Sequence, residues 1–291
     1  MRPRHVLTLS ALAAFPAAAG ATCTPAFVQG PGTVVIRPLS LDSGQATERF
    51  ELRVRNDGDT ACSLRLVVGR DLAARSADFP AYAMSGPFGA MTIGAGPAMA
   101  GQGAAAAPVQ LAPGAQVALS QEVRVEAGWG NAAGEKVEEL QFALLSATDQ
   151  SELATLRVRL RLEIPTTALI RFAGASAGGP ARVDMGTLSP TVPTRSPPFA
   201  IRVLSTAPYR MDLESENRGA LARIGGPDRA PYRLTVGGQT MNLRQGTDGF
   251  LVSRHTGRTG DVHAVTIIVD PDPLRHAGRY SDRIMVAVTP L

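Results

Sequence analysis

The chain has 291 residues, of which 44% are hydrophobic, 19% charged and 5% aromatic. This composition excludes a disordered chain and a coiled coil, and it indicates cores built mainly from aliphatic side chains. The length predicts two domains of roughly 130 to 150 residues each. The formal net charge is only +4, and Lys136 is the single lysine among 29 basic residues. Because scattered arginines do not form the basic face that phosphates require, nucleic acid is not expected as a partner.

Residues 1–21 have the three-part layout of a secretory signal peptide. Two arginines precede an apolar run over residues 6–15, and the small residues Ala19-Gly20-Ala21 follow. The apolar run is shorter than the roughly 20 residues that a membrane helix needs. We therefore expect cleavage after Ala21, and export of a mature chain that begins at Thr22.

Cys23 and Cys62 are the two cysteines of the sequence. In an exported chain they are expected to form a disulfide bond, the alternative being two free buried thiols. The bond would close a loop of about 40 residues, which the chain-entropy relation values at roughly 3 to 4 kcal/mol.

Strict alternation of apolar and polar residues dominates the rest of the sequence. It runs over residues 50–55 and again over residues 156–164, where Arg157, Arg159 and Arg161 separate aliphatic residues. This period of two predicts half-buried antiparallel strands with the arginines facing solvent. Turn motifs such as Asn56-Asp57-Gly58 are frequent and long helical periodicity is missing. The sequence therefore predicts an all-β fold built from β-sandwiches.

Pro165 ends the most regular strand, so we predict domains over residues 22–165 and 166–291. A weak internal repeat supports this division. One ungapped offset aligns Phe50 with Phe199 and Leu64 with Leu213.

The same offset places Phe172 at the position of Cys23, and Met211 at the position of Cys62. The second domain is therefore expected to replace the disulfide bond with an apolar pair.

The stretch from residue 85 to residue 114 is rich in glycine, alanine and proline, which predicts a long loop. It carries apolar residues without an alternating partner strand, namely Phe88, Met91, Ile93 and Met99. They form either an exposed binding surface or a set of side chains folded back onto the sandwich. Trp129, in a Gly-Trp-Gly-Asn segment, allows the same two interpretations.

The motifs of catalysis and metal binding are weak. Residues 174–178 match the Gly-x-Ser-x-Gly nucleophile elbow, and Asp270 and His276 follow in hydrolase order. The elbow needs a helix directly after the serine, whereas Gly179-Pro180 follows here. The histidines lack zinc-site spacing, and residues 270–273 could bind calcium only as a minor alternative to a plain turn. We expect no enzymatic activity, no cofactor and no metal.

Three segments carry a resemblance to a known family: residues 208–219, residues 231–236 and the C-terminal residues 277–289. The last is the most specific, because Gly278, Tyr280 and Asp282 form a Gly-x-Tyr-x-Asp turn that leads into a final strand. These segments resemble the spore coat protein U family, whose domains look like the pilins of chaperone/usher fimbriae. The resemblance covers residues 166–291 well and the first domain weakly, and the second domain departs from it by having no cysteines.

This resemblance implies two immunoglobulin-like sandwiches, the second of which lacks its last strand. A periplasmic chaperone would supply the missing strand first, and the N-terminal extension of the next pilin subunit would replace it by donor-strand complementation. An outer-membrane usher would assemble the subunits. The final strand, with Ile284, Val286 and Val288 on one face, would line the groove for the chaperone and the donor strand.

A donor strand needs roughly ten residues before the first cysteine, and a chain that starts at Thr22 offers one. We therefore expect a tip adhesin of an archaic-type chaperone/usher pilus, exported through the periplasm to the cell surface. Its N-terminal domain would attach to a host or abiotic surface and promote biofilm formation. The alternatives are a minor structural pilin or coat protein, a secreted carbohydrate-binding protein, and an esterase acting through Ser176.

Overall fold

The structure is a computed structural model, and it describes residues 22–87, 89–94, 108–173 and 181–291. The predicted all-β fold is confirmed: within these ranges the chain forms 22 strands, three single-turn 3-10 helices and no α-helix. The short helices are Leu41–Ser43, Leu72–Ala74 and Leu243–Gln245. No helix in the described ranges has the length and apolar character of a membrane span.

Eleven strands precede residue 165 and form what we name the first sandwich. They are β1 (Pro25–Gln29), β2 (Thr33–Ile36), β3 (Gln45–Asn56), β4 (Cys62–Asp71), β5 (Tyr82–Gly86), β6 (Gly89–Met91), β7 (Ile93–Gly94), β8 (Val109–Leu111), β9 (Gln116–Glu126), β10 (Gly134–Ser146) and β11 (Glu152–Ile164).

One sheet of the first sandwich has the order β1-β3-β9-β5-β6, and the other has the order β2-β11-β10-β4-β7, with β8 also paired to β4. The two sheets enclose an aliphatic core to which Leu52 and Val123 contribute from one side and Leu140, Phe142 and Leu160 from the other. All five of these side chains are fully buried.

Strand β11 completes this sandwich. It pairs antiparallel with β10 on one side and parallel with β2 on the other. The alternation predicted from the sequence is confirmed, because Val158, Leu160 and Leu162 are fully buried while Arg157 and Arg159 are exposed. The strand thus covers the core and satisfies the main-chain groups of both neighbours.

Eleven further strands form what we name the second sandwich. They are β12 (Ala168–Ala173), β13 (Thr194–Arg195), β14 (Phe199–Ser205), β15 (Tyr209–Ser215), β16 (Ala220–Arg223), β17 (Arg229–Val236), β18 (Gln239–Met241), β19 (Thr247–Val252), β20 (Asp261–Val269), β21 (Tyr280–Ser281) and β22 (Ile284–Pro290).

The two sheets of the second sandwich differ in size. Its larger sheet has the order β12-β14-β20-β17-β16-β21, with β13 paired to β20 and β18 to β17, and its smaller sheet has only the order β19-β15-β22. A separate core lies between them and includes Ile201, Val203, Met211, Leu213 and Leu234.

The two sandwiches touch at one end of the first. The carboxylate of Asp42 accepts hydrogen bonds from the indole nitrogen of Trp129 at 2.8 Å and from Arg171 of the second sandwich at 3.1 Å. The main-chain nitrogen of Ala133 donates to the carbonyl of Thr206 at 2.6 Å. Trp129 packs against the first core, and its indole nitrogen, the one polar atom of the side chain, donates to Asp42. Its contacts are therefore structural ones.

The predicted disulfide bond between Cys23 and Cys62 is present. The predicted apolar pair of Phe172 and Met211 is wrong. In the second sandwich Ile170 lies opposite Val203, as Phe27 lies opposite Val54 in the first, so the ungapped offset misplaces the opening strand. Phe172 lies opposite Ile201 and is 46% exposed, whereas Met211 is fully buried.

Replacing both cysteines by serine is expected to destabilise the first sandwich by about 3 to 4 kcal/mol, because the unfolded chain regains the freedom of the closed loop. Urea unfolding followed by tryptophan fluorescence measures this, since Trp129 is the only tryptophan and packs against the first core. Thiol reduction of the unmodified chain serves as the control and should give the same loss. An unchanged unfolding midpoint would contradict the expectation.

Candidate functional site: a groove beside the last strand

Strand β22 has a free edge. It pairs with β15 over its whole length, from Ile284 opposite Ser215 to Pro290 opposite Tyr209. Within the described residues no strand pairs with its other edge. The corresponding strand of the first sandwich is β10, which pairs with β4 just as β22 pairs with β15, and which also has β11 on its second side. The second sandwich therefore lacks an equivalent of β11 in the described part of the chain.

The predicted groove residues Ile284, Val286 and Val288 lie together on the inner face of β22. Val286 lies opposite Leu213 and Val288 opposite Met211, and both of these partners are buried core residues. The three predicted side chains pack against that core but are only half-buried.

The intervening residues of β22 are Met285, Ala287 and Thr289, and all three are exposed on the outer face. In β10, by contrast, the inward residues Leu140 and Phe142 are fully buried between the facing sheet and the neighbouring strand β11. The missing neighbour thus leaves a row of apolar side chains partly open to solvent.

Phe172 forms part of the opposite wall, which sequence reasoning missed. Residues paired across neighbouring strands share a face, so Phe172 points to the same side as its buried partner Ile201. It nevertheless remains 46% exposed. Strand β12 approaches β22, and Ile170, two residues before Phe172, packs half-buried on the core. The sequence did contain a pattern that indicates this position, the alternation of Ile170 and Phe172. The ungapped offset instead assigned Phe172 to the position of Cys23.

Asp282 fixes the start of β22. One of its carboxylate oxygens accepts hydrogen bonds from the hydroxyls of Ser215 at 2.6 Å and Tyr232 at 2.7 Å. The other accepts from the main-chain nitrogens of Asn217 at 3.0 Å and Arg283 at 2.8 Å. Burial, together with the bond to Asp282, raises the pKa of Tyr232 above its ordinary value.

These hydrogen bonds of Asp282 join the last strand to β15 and, through Tyr232, to the larger sheet. They give the Gly-x-Tyr-x-Asp turn a physical role, because the acidic residue of that motif sets the position from which Ile284 and Val286 face the core. Tyr280, another residue of the motif, is held by a hydrogen bond from its hydroxyl to the carbonyl of His276 at 2.8 Å.

Two residues of the predicted surface-binding loop have positions in the structure. Met91 lies opposite Met84, and Ile93 lies beside Val68. Both pack against the first core as half-buried side chains, which favours the folded-back interpretation for them. Phe88 and Met99 lie outside the described residues, so the binding surface stays a prediction.

The residues of the esterase alternative have other partners. Asp270 pairs with Arg233 at 2.7 Å, and His276 pairs with Asp228 at 2.7 Å. Ser176 lies outside the described residues. No group of three or more potential metal-ligating side chains occurs in the parts of the chain that the structure describes.

A buried charge cluster lies in the first sandwich, near the contact with the second. The carboxylate of Glu138 is fully buried, with Arg70 and Arg75 each 3.4 Å away. The side chain of Lys136 is 5% exposed, and its ammonium group pairs with Asp78. Arg75 also donates to the carbonyl of Phe79 at 3.0 Å, so the cluster anchors the loop between β4 and β5. Its role is therefore structural.

Fold and groove together define an all-β protein of two sandwiches, of which the second is incompletely covered. No family model and no curated protein sequence matches the chain. The resemblance to the spore coat protein U family therefore depends on the residues quoted above.

Among solved structures, the chain is similar to a chain of the CsuC-CsuE chaperone-tip adhesion subunit pre-assembly complex from archaic chaperone-usher Csu pili of Acinetobacter baumannii. The identity is 13%, the match covers 90% of this chain and 99% of that chain, and the TM-score is 0.41. The CupB6 tip adhesin from Pseudomonas aeruginosa matches at 12% identity, with 92% and 93% coverage and a TM-score of 0.39.

CfaE, the adhesive subunit of CFA/I fimbria of enterotoxigenic Escherichia coli, matches at 9% identity, with 90% and 93% coverage and a TM-score of 0.39. Similarity at this level assigns no function by itself.

Replacing Asp282 by Asn is expected to loosen β22, because asparagine has one accepting oxygen, so that either the two hydroxyls or the two main-chain nitrogens lose their acceptor. Losing buried charge-assisted bonds costs about 1.5 to 3 kcal/mol, which corresponds to at least a roughly tenfold faster local opening. Hydrogen exchange of the peptide covering residues 284–290, followed by mass spectrometry, measures this.

The matched control is Asp270→Asn, which removes an exposed ion pair with Arg233 and should change exchange in β22 very little. Equal exchange rates in the two variants would show that Asp282 does not hold the strand.

Proposed function

We propose that the chain is the tip adhesin subunit of a chaperone/usher-assembled pilus. Residues 166–291 would be the pilin-like domain that accepts a donor strand, and residues 22–165 would be the domain that attaches to a surface and promotes biofilm formation. One observation carries the proposal: the inward residues of β22 are half-buried beside a free strand edge, whereas β11 fills the same place in the first sandwich.

The free edge explains why partners would be required. An exposed edge with unpaired main-chain groups and apolar side chains favours aggregation. A periplasmic chaperone would cover it after export, and the next pilin subunit would replace the chaperone at the outer-membrane usher. Both partners would use strand addition, in which main-chain hydrogen bonds provide affinity and alternate side chains fill the groove.

Strand β11 indicates what a donor strand would look like. It has 13 residues and runs antiparallel to β10, with Val158, Leu160 and Leu162 directed into the core. A donor for the second sandwich would run antiparallel to β22 and would present a similar row of aliphatic residues to Val286, Val288 and Phe172. No catalytic step is part of this function, and we propose that the protein is not an enzyme.

A copy of the chain's own β10–β11 connection and β11, residues 147–164, can supply the missing strand when it is joined after Leu291. The grafted protein is expected to be a soluble monomer without a chaperone, because the added strand pairs with β22 and covers its apolar face. Size-exclusion chromatography and thermal unfolding measure the effect.

The matched control carries the same graft with serine at the three positions that copy Val158, Leu160 and Leu162. This version can still form main-chain hydrogen bonds but cannot fill the groove, so it should remain dependent on a co-expressed chaperone. If the unmodified chain is already a stable monomer by itself, the proposed incomplete sandwich is refuted.

We propose that the surface-binding loop contains both structural and adhesive residues. Met91→Ser and Ile93→Ser are each expected to destabilise the first sandwich by about 1 to 2 kcal/mol, because these half-buried side chains pack on its core. Phe88→Ser and Met99→Ser are expected to weaken attachment of assembled pili to a surface without changing that stability. Attachment assays combined with Trp129 fluorescence distinguish the two effects, and unchanged attachment in the second pair would contradict a role of this loop in binding.

A further inference from the structure

The start of the described chain is enclosed by a loop of the first sandwich. We name residues 56–60 the N-terminal clasp. The main-chain nitrogen of Thr22 donates to a carboxylate oxygen of Asp59 at 2.6 Å. The carbonyl of Thr22 accepts from the main-chain nitrogens of Asp59 at 3.1 Å and Thr60 at 3.4 Å. The carbonyl of Thr24 accepts from Asp57 at 2.9 Å.

The side chain of Asn56 holds the N-terminal clasp together through hydrogen bonds. It is fully buried, and its oxygen accepts from the nitrogens of Thr24 at 3.2 Å and Gly58 at 3.0 Å. Its amide nitrogen donates to the carbonyls of Thr60 at 2.7 Å and Leu111 at 3.2 Å.

Gly58 packs directly on the Thr22 carbonyl, so that any larger residue there would displace Thr22. The disulfide bond from Cys23 to Cys62 holds the same segment on its other side.

The two aspartates of the clasp have different partners. Asp57 pairs at 2.5 Å with Arg55, two residues before it in the sequence. Asp59 instead directs its carboxylate at the nitrogen of Thr22. In an unprocessed chain this nitrogen is a neutral amide. In a chain cleaved between Ala21 and Thr22 it is an ammonium group with a full positive charge in the same place.

We propose that Thr22 is the first residue of the processed protein and that Asp59 binds its α-ammonium group. Processing adds water across the Ala21–Thr22 peptide bond, which leaves a carboxylate on Ala21 and an ammonium group on Thr22. The new charge converts an ordinary hydrogen bond into an ion pair and locks the chain start into the clasp. Recognition of a terminal amine by main-chain and carboxylate groups is a known binding mode.

The inferred ion pair does not depend on the proposed function, but its consequence for pilus assembly does. A start that is held at Thr22 by the clasp and the disulfide bond leaves no free segment to serve as a donor strand. The protein would then accept a strand without giving one, which is the property of a terminal subunit.

Trace acetylation at a series of pH values, with mass spectrometry of the N-terminal peptide, tests this inference on the protein purified with its chaperone. The peptide is expected to start at Thr22. An exposed ion pair should raise the pKa of its α-amine by about 0.3 to 0.7 units above the usual value of about 7.7 to 8.0. Lys136, the only lysine, is the internal reference, since its buried amine becomes reactive only if the first sandwich unfolds.

Asp59→Asn is expected to return the α-amine to its ordinary pKa, whereas the matched control Asp57→Asn should leave the raised value unchanged. Raising the salt concentration to about 1 M should lower the value in the unmodified protein, because screening weakens an exposed pair. This second measurement needs no variant and remains decisive if Asp59→Asn does not fold.

A different first residue, or the same α-amine pKa in the unmodified protein and in Asp59→Asn, would overturn the inference. Either result leaves strand acceptance by β22 untouched. Conversely, a chain that is stable without any donor strand would refute the proposed function and leave the ion pair intact.

Discussion

The structure depends on the requirement that a strand inside a sheet must be paired on both edges and covered on its apolar face. The first sandwich meets this requirement through β11, which pairs with β10 and β2 and buries Val158, Leu160 and Leu162. In the described residues, the second sandwich meets it only on the β15 side of β22. Its smaller sheet has three strands where the equivalent sheet of the first has six. One chain thus contains both a completed sandwich and an uncompleted one, and the first indicates what the second lacks.

The size of the effect follows from the side chains involved. Complete burial of a large apolar side chain stabilises by about 1.5 to 3 kcal/mol, and Ile284, Val286, Val288 and Phe172 each realise only part of this in the described chain. The unrealised part is on the order of several kcal/mol, which is comparable to the whole stability of a small domain. A strand that covers these residues would therefore add to the stability of the second sandwich by an amount of that order.

Some of this could be predicted from the sequence, and the physical reason differs from case to case. Alternation over residues 156–164 predicted β11, and the same pattern placed Ile284, Val286 and Val288 on one face, because a period of two is a local property of a strand. Phe172 was misplaced despite its alternation with Ile170, because its role depends on which residue of β14 lies opposite β12. The clasp around Thr22 and the cluster around Glu138 were missed, since both join residues that are distant along the chain and share no local pattern.

The geometry of the first sandwich also bears on which strand could fill the groove. Strand β10 begins next to Ala133, which touches the second sandwich, and it pairs Glu139 with Asp71 and Ser146 with Leu64. At about 3.3 Å per residue, β4 runs a further roughly 30 Å from Asp71 to Cys62, away from this contact. The disulfide bond and Asp59 hold Thr22 at the Cys62 end of the strand. Thr22 therefore lies far from this contact, and under the proposed function the strand that fills the groove of the second sandwich would come from another molecule.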